Sequence, residues 1–305
     1  EVRFMKFLFN GKPFSGVTTA LVTPFDENNV IDDAKMKALV DWQIENGIKG
    51  LLVLGGSGEY VSFTMEERIH AIESAVAAAA GRIPIIAGVL EPGIGEAIEA
   101  AKAFKEAGAA IPLVLTPYYV NPTQEGIYEF FKKFDEGFNS PFLVYNIPYK
   151  NVTNIKPATF ARLVEDVPNC CGIKECSVAF ADCVDIVNRV GDKCTVMSGE
   201  DLMFGGHILF GAEAAIIASA NLIPAAWAKY FDDAKAKDVE AVIAFQKKYF
   251  PLFDLLFAEI NPAPLKYAMR KIGMDAGEVS TPLQPCSEGL RAKLDDMIAK
   301  LGITK

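Results

Sequence analysis

The chain has 305 residues, of which 51% are hydrophobic and 23% are charged, and its formal net charge is −9. This composition is typical of a globular protein with a large core, and the net negative charge argues against nucleic acid or an anionic membrane surface as a partner. We therefore expect a small-molecule substrate.

The cysteines and histidines of the chain give no metal-binding pattern. None of the six cysteines forms a Cys-x-x-Cys pair, and the two histidines, His70 and His207, lie far apart. We therefore expect no structural zinc, no cofactor, and free buried thiols in a reducing cytoplasm. The first nine residues hold no apolar stretch as long as that of a signal peptide. The longest apolar run, 214–228, is interrupted by polar residues and is too short to span a bilayer.

Short apolar runs alternate with helix-length segments from about residue 17 to residue 235. Helical periodicity is clear over 32–46, 64–80, 94–106 and 124–136, and Thr64 with Glu67 fits a capping box. The runs that predict strands are 17–23, 50–54, 84–89, 111–115, 142–146, 171–175, 195–198 and 214–219. These runs are almost continuously apolar, as is typical of parallel strands covered on both faces. Eight βα units in succession predict an α/β fold of the closed (β/α)8 TIM-barrel type rather than an open doubly wound sheet.

Three more helical patterns follow the eighth unit, over 239–258, 263–272 and 288–301. No linker rich in Ser, Gly or Pro splits the chain. We predict a barrel that carries the site over 14–235 and a small three-helix appendage over 236–305.

Barrels of this type have their catalytic and binding residues at the C-terminal ends of the strands. The candidate site residues are therefore those just after each predicted strand. Gly55–Glu59 follows the second strand and matches neither a dinucleotide fingerprint nor a P-loop. It is either a flexible turn or a nest in which backbone N–H groups at Gly56, Ser57 and Gly58 and the Ser57 hydroxyl bind a small carboxylate.

A lysine, Lys174, ends the sixth predicted strand and is followed by polar residues. Most lysines at strand ends are solvated, but burial disfavours the ammonium form and turns the amine into a nucleophile for carbonyl carbon. Tyr145 lies at the end of the fifth strand, which neighbours the sixth at the usual strand spacing of about 4.8 Å. A phenol on that strand, within reach of the amine, can shuttle protons during imine formation. A carboxylate nest, a phenol and a desolvated lysine together predict an imine-forming site.

Other strand ends supply further candidates. Tyr119 follows the fourth strand, where aromatic packing at a subunit contact is the alternative to a catalytic role. Glu91 follows the third strand and either faces a polyol or an amine or caps the next helix. Gly199 and Asp201 after the seventh strand, and Ser219 at the end of the eighth, complete the candidate substrate-binding residues.

Across nearly its whole length the chain resembles the dihydrodipicolinate synthase and N-acetylneuraminate lyase family of class I aldolases. The resemblance implies that Lys174 forms a Schiff base with pyruvate or another 2-oxo acid, that Tyr145 acts as acid and base, and that the Ser57 loop binds the carboxylate. It also implies a dimer of dimers with Tyr119 near the tight-dimer interface. The motifs that carry it are 18–25 (TTALVTPF), 55–59, 116–119, 145–148, 172–175, 198–201 and 261–266 (NPAPLK).

Three departures from the family pattern bear on the substrate. Gly56 stands where the synthase has the Thr of its proton relay, and Lys150 stands where the lysine-pathway synthase has an Arg for the carboxylate of the aldehyde. Lysine does not replace arginine in a bidentate contact. Leu202 follows Asp201, whereas the sialic acid lyases continue with Asp-Glu, and a leucine cannot bond sugar hydroxyls.

We therefore predict a Schiff-base aldolase or lyase that makes or cleaves a carbon–carbon bond between a 2-oxo acid and an aldehyde. Three alternatives remain open. The first is 4-hydroxy-tetrahydrodipicolinate synthase of lysine biosynthesis, and the second is a 2-keto-3-deoxy sugar acid aldolase or dehydratase that uses the same iminium. The third is a protein that has lost catalysis and binds a 2-oxo acid.

Overall fold

Eight parallel strands close into a barrel. The computed structural model describes residues 5–305. Within that range the strands are β1 (Leu8–Phe9), β2 (Lys12–Pro13), β3 (Gly16–Ala20), β4 (Gly50–Val53), β5 (Ile85–Val89), β6 (Ile111–Leu115), β7 (Phe142–Asn146), β8 (Cys170–Glu175), β9 (Thr195–Ser198) and β10 (Ala214–Ile217). The order around the barrel is β10-β3-β4-β5-β6-β7-β8-β9.

Helices follow the barrel strands and cover them. Across the described part of the chain they are α1 (Asp33–Glu45), α2 (Met65–Ala79), α3 (Ile94–Glu106), α4 (Gln124–Phe138), α5 (Pro148–Asn151), α6 (Pro157–Asp166), α7 (Phe180–Val190), α8 (Phe204–Leu209), α9 (Pro224–Lys235), α10 (Val239–Leu256), α11 (Ala263–Lys271) and α12 (Glu288–Leu301). The predicted (β/α)8 barrel with a C-terminal helical appendage is confirmed.

The strand bounds differ from the prediction at the first and eighth strands of the barrel. β3 ends at Ala20 and β10 at Ile217, each two or three residues early. The reason is Asn221, whose side chain accepts from the Val22 N–H at 3.2 Å and donates to the Ala20 carbonyl at 2.8 Å. A side chain thus replaces the neighbouring strand as partner, and the sheet ends there.

Local capping chemistry sets the ends of several helices. At α2 the predicted capping box is present, with Thr64 and Glu67 bonding each other's backbone N–H groups. α4 runs to Phe138, beyond the predicted residue 136, because Asn139 takes the left-handed conformation that ends the helix.

The N-terminal end of the barrel is closed by a hairpin of β1 and β2 that the sequence did not predict. Phe7 and Phe14 flank this hairpin and pack inside the barrel with ring centroids 5.1 Å apart. The Phe7 N–H donates to Thr195 Oγ1 at 3.0 Å, which ties the hairpin to β9. The first four residues of the segment considered for a signal peptide lie outside the described residues.

The prediction for the thiols is confirmed: all six cysteines are free and buried. In residues 5–305, no helix is both long enough and apolar enough to cross a lipid bilayer.

Candidate active site

Lys174 lies at the centre of the site because β8 carries it into the barrel interior. The register of β7 and β8 places Tyr145 directly opposite Lys174. The amine Nζ lies 3.4 Å from the Tyr145 hydroxyl, and the side chain is only 5% exposed. The next residue, Glu175, points to the other side of the sheet, as strand alternation requires, and accepts from Asn146 and the Ser177 N–H.

A cavity of about 420 Å³ opens above Lys174 at the C-terminal ends of the strands. This is the position expected for the site of a (β/α)8 barrel. Of the residues predicted from the sequence, the structure brings Gly56, Ser57, Tyr145, Lys150, Lys174, Gly199 and Asp201 together in the lining of this cavity.

Burial keeps the phenol and the nearest thiol of the cavity protonated. It raises the pKa of Tyr145 well above its usual value, so the hydroxyl is a donor at neutral pH. It also raises the pKa of Cys176, although the nearby Lys174 opposes that shift. Cys176 is therefore a packing residue rather than a nucleophile.

The loop after β4 faces Lys174 across the cavity. It turns tightly, with the Gly58 N–H donating to the Gly55 carbonyl at 3.0 Å. Gly58 stays behind the lining, and a Cβ there would lie 2.9 Å from the Leu54 backbone nitrogen, so only glycine fits. Ser57 lines the cavity, and its Oγ accepts from Asn261 Nδ2 at 2.9 Å.

A buried ion pair holds this loop from behind. Glu59 and Lys266 lie 2.7 Å apart, both almost fully buried, and the Ser280 N–H donates to Glu59 at 2.6 Å. Burial lowers the pKa of Lys266 to about 8, and the attraction of Glu59 works against that shift. Together with Asn261, α11 thus fixes the loop that carries Ser57.

Lys150 lies beside Gly56, the residue that stands where the synthase has a Thr. A Cβ built on Gly56 would lie 3.6 Å from Lys150 Nζ, an ordinary contact distance. Burial lowers the pKa of Lys150, and repulsion from Lys174 lowers it further. The amine of Lys150 therefore lies next to the place where a longer side chain at residue 56 would stand.

Several side chains of the cavity were not predicted from the sequence, and among them are Tyr149 and Glu200, each adjacent in the chain to a predicted site residue. Glu200 directly follows Gly199 at the end of β9, and Tyr149 directly precedes Lys150 after β7. Burial raises the pKa of Glu200 to about 7, while a hydrogen bond from Tyr149 lowers it. Both follow a strand end within two or three residues, so the strand-end rule applied to every polar residue would have found them.

Besides Gly58, three predicted residues lie outside the lining of the cavity. Tyr119 does not line the cavity of its own chain and is 91% exposed. Glu91 is also outside the lining, because it is ion-paired to Arg68 and accepts from the Tyr60 hydroxyl at 2.9 Å. It therefore does not line the cavity, and it does not cap α3, which has no side-chain hydrogen bond at its N-cap.

The third of these residues, Ser219, is buried behind the cavity. Its N–H donates to Asp201 Oδ1 at 3.0 Å, and its hydroxyl donates to the same oxygen. The hydroxyl also accepts from Trp227 Nε1 at 2.9 Å. Ser219 thus positions Asp201.

The mouth of the cavity is mostly apolar, although the Glu259 carboxylate also lines it. Val178, Leu202, Phe257 and Ile260 line it and are all partly exposed. In the part of the chain that the structure describes, no group of three or more His, Cys, Asp or Glu side chains is arranged to hold a metal ion.

The barrel of eight βα units with a deep cavity at the C-terminal strand ends defines a TIM-barrel enzyme. The model of the Dihydrodipicolinate synthetase family matches residues 13–301. A 4-hydroxy-tetrahydrodipicolinate synthase of Methylobacterium radiotolerans is 36% identical over 293 residues, which cover 96% of this chain and 97% of that protein. The chain belongs to the dihydrodipicolinate synthase family, and it is a lyase of the aldolase type.

Solved structures agree with this assignment. A chloride-inhibited dihydrodipicolinate synthase from Acinetobacter baumannii complexed with pyruvate has a TM-score of 0.91 and 33% identity, over 95% of this chain and 99% of that one. A structure described as the first monomeric dihydrodipicolinate synthase variant has a TM-score of 0.91 and 32% identity, over 95% of this chain and 97% of that one.

Proposed function

We propose that Lys174 forms a Schiff base with pyruvate or a related 2-oxo acid and that the resulting enamine makes or cleaves a carbon–carbon bond with an aldehyde. The observation that carries this proposal is the buried Lys174 amine, 3.4 Å from the Tyr145 hydroxyl, facing the Ser57 loop across one cavity. Family membership and the pyruvate complex of a similar protein support it.

The geometry suggests a role for each group. The substrate carboxylate binds at Ser57, which orients C2 toward Lys174 Nζ. The amine attacks C2, protons pass through Tyr145 to the carbonyl oxygen, and that oxygen leaves as water. The iminium then makes C3 acidic, so C3 loses a proton to a base in the cavity and becomes the nucleophilic carbon of an enamine. Addition to an aldehyde, or the reverse cleavage of a 4-hydroxy-2-oxo acid, completes the reaction.

Borohydride reduction with pyruvate tests this mechanism. We expect one reduced adduct, mapped to the peptide that contains Lys174, and none in Lys174→Ala. Lys150→Met is the matched control, because it removes the other lysine amine of the cavity and should leave the adduct in place. An adduct on another lysine, or no adduct with pyruvate or other 2-oxo acids, contradicts the proposal.

A second candidate, 4-hydroxy-tetrahydrodipicolinate synthase, is supported by the names of relatives at 36% identity. In that case Ser57 and Lys150 compensate for the missing Thr and Arg. Turnover of pyruvate with aspartate semialdehyde, measured by coupling to the next reductase, is expected for such a synthase. No turnover at high enzyme concentration would contradict this second candidate. Binding of a 2-oxo acid without proton exchange or turnover would favour the alternative that the protein has lost catalysis.

The alternative of a 2-keto-3-deoxy sugar acid aldolase or dehydratase has the least support at the mouth of the cavity. A polyhydroxylated chain needs hydrogen-bonding partners along its length, whereas the mouth presents Val178, Leu202, Phe257 and Ile260.

We also propose that the protein works in the cytoplasm as a dimer of dimers. The exposed neighbours Tyr119 and Val120 support a contact between copies. Sedimentation should give a mass of four chains of 33.1 kDa each. A mass of one chain would contradict the assembly, and a monomeric variant among similar proteins makes this outcome a real alternative.

A further inference from the structure

Two segments meet beside Lys174 with chemistry that the mechanism above does not use. The segment after β7, which forms the short helix α5, supplies Tyr149, and the loop after β9 supplies Glu200. β8 lies between these two strands, so both segments flank the strand that carries Lys174. Tyr149 and Glu200 interact with each other and line the same cavity as Lys174.

The hydrogen bonding of Glu200 indicates that this side chain acts on a substrate and does not serve to stabilise the fold. Its Oε1 is buried and has no hydrogen-bond partner in the protein. A buried polar atom without a partner is costly, so an unpaired oxygen at a cavity wall indicates a missing ligand atom. Asp201 next to it is different, because both its bonds from Ser219 serve to fix the loop.

We propose that Glu200 is a catalytic base that removes the C3 proton of the iminium formed at Lys174. This inference rests on the function proposed above. Gly56 has no hydroxyl that could carry protons in the cavity. Glu200 lines the same cavity and supplies a group that can.

The step balances without any other reactant. The carboxylate of Glu200 takes the proton from C3, and the electron pair of that C–H bond becomes the C2–C3 double bond. The electron pair of the C2=N bond returns to the nitrogen of Lys174, which gives the neutral enamine. Nothing is oxidised or reduced, and the protonated Glu200 exchanges its proton with solvent or returns it to C3.

The acidity of Glu200 suits this role. Burial raises its pKa to about 7, close to the pH at which a general base is most effective. The ionisable groups that face it come from every neighbouring element and act in both directions. Those in the cavity are Tyr145 from β7, Tyr149 and Lys150 from α5, Lys174 from β8, Cys176 just after it, and Asp201 from the loop of Glu200 itself, while Glu175 acts on Glu200 from the outer side of β8.

The test follows the exchange of pyruvate methyl protons for deuterium by NMR, which needs no second substrate. Wild type should exchange, with a rate that rises with pH through the pKa of Glu200. Glu200→Gln should exchange about 100-fold more slowly and lack this rise. It should still form the borohydride adduct at Lys174, which shows that it is folded and makes the imine.

Two further variants guard against a merely structural effect. Glu200→Asp should recover part of the exchange rate. Tyr149→Phe should move the rise to higher pH, because the hydrogen bond that lowers the pKa of Glu200 is lost. Glu259→Gln is the matched control: this carboxylate also faces the mouth of the cavity, but Ser287 donates to both its oxygens.

The outcomes separate the two proposals. An adduct in both wild type and Glu200→Gln, with equal exchange rates and the same pH dependence, overturns the role of Glu200 and leaves the Schiff base intact. Equal loss in Glu259→Gln and Glu200→Gln also overturns it, because the effect is then one of charge at the mouth. No adduct in wild type overturns the proposed function itself.

Discussion

The side chain of Lys174 runs between Tyr145 on one neighbouring strand and Gly199 at the end of the other. A Cβ on Gly199 would overlap Cys176 Sγ and lie 3.0 Å from Lys174 Cε. Gly199 was predicted to bind substrate. The structure indicates another contribution, because the absence of a side chain there leaves room for the lysine.

Gly199→Ala should therefore displace Lys174 more than it weakens the fold. We expect borohydride trapping of pyruvate to slow by about tenfold to 100-fold, since a misplacement of about 1 Å can cost that much. The free energy of unfolding should fall by about 1–3 kcal/mol from overpacking. Trapping rates and urea unfolding measure the two effects.

Gly289→Ala is the control, because nothing lies within 4 Å of a Cβ at that position. It should leave both quantities near wild type. Unchanged trapping in Gly199→Ala would show that the lysine has another route into the cavity.

At the scale of the elements, the C-terminal helical region contributes to the site, because it contacts the loop after β4 that carries Ser57. α11 begins at Ala263, and its Lys266 pairs with Glu59 in the loop after β4. We propose the division into a barrel over 14–235 and a helical unit over 236–305, with this ion pair as the main polar link between the unit and the cavity.

Lys266→Met should destabilise the protein by about 3–5 kcal/mol, because it leaves the buried Glu59 carboxylate without its cation. The double variant Glu59→Gln with Lys266→Met should recover much of that loss, since no unpaired charge remains. The free energy of unfolding in urea gives both values. A double variant as unstable as Lys266→Met alone would mean that packing, and not charge, makes Lys266 important.

On the outer side of β8, Glu175 gives the protein a pH-dependent stability. Burial raises its pKa from 4.5 to about 8, although hydrogen bonds from Asn146 and the Ser177 N–H oppose the shift. The folded protein therefore binds this proton more tightly than the unfolded chain. The stabilisation is complete below about pH 4.5 and is lost as the pH rises through 8.

Wild type should thus lose more stability than Glu175→Gln between pH 5 and pH 8, by an amount on the order of a few kcal/mol. Urea unfolding of the two proteins at both pH values measures the difference. Parallel curves would show that Glu175 is ionised in the folded protein at pH 5. Borohydride trapping should persist in the variant, because Glu175 lies outside the cavity.

At the scale of the whole molecule, the two ends of the barrel differ, because side chains from the N-terminal segment fill one end. The hairpin of β1 and β2 closes the N-terminal end, and Phe7 inserts between Phe14 and the interior residues of the strands. The cavity opens at the C-terminal end of the barrel. The side chains that fill the N-terminal end therefore contribute stability without lining the cavity.

Phe7→Ala should lower the free energy of unfolding by about 3–5 kcal/mol, because it leaves a void in the barrel interior. Leu8→Ala is the matched control from the same hairpin. Leu8 is 52% exposed, so its truncation should cost less than about 0.5 kcal/mol. Equal losses would mean that the hairpin acts through its backbone pairing rather than through Phe7.

The sequence by itself determined the barrel and the centre of its site. Strand and helix periodicities are local, and eight βα units have few ways to pack, so the closed barrel followed from counting them. Lys174 and Tyr145 could be found because each ends an apolar strand, and the order of the strands makes them neighbours. The hairpin at Leu8–Pro13 was missed because strands of two residues have no period to detect.

Only the tertiary structure decided which other side chains reach the cavity. Glu91 and Ser219 also follow strand ends, yet Arg68 and Asp201 hold them away from it. Glu200 and Tyr149 come together from the segments after two strands, and α11 reaches a loop about 200 residues earlier in the chain. Such contacts join residues distant in sequence, and no local pattern encodes them, because they depend on how whole elements pack.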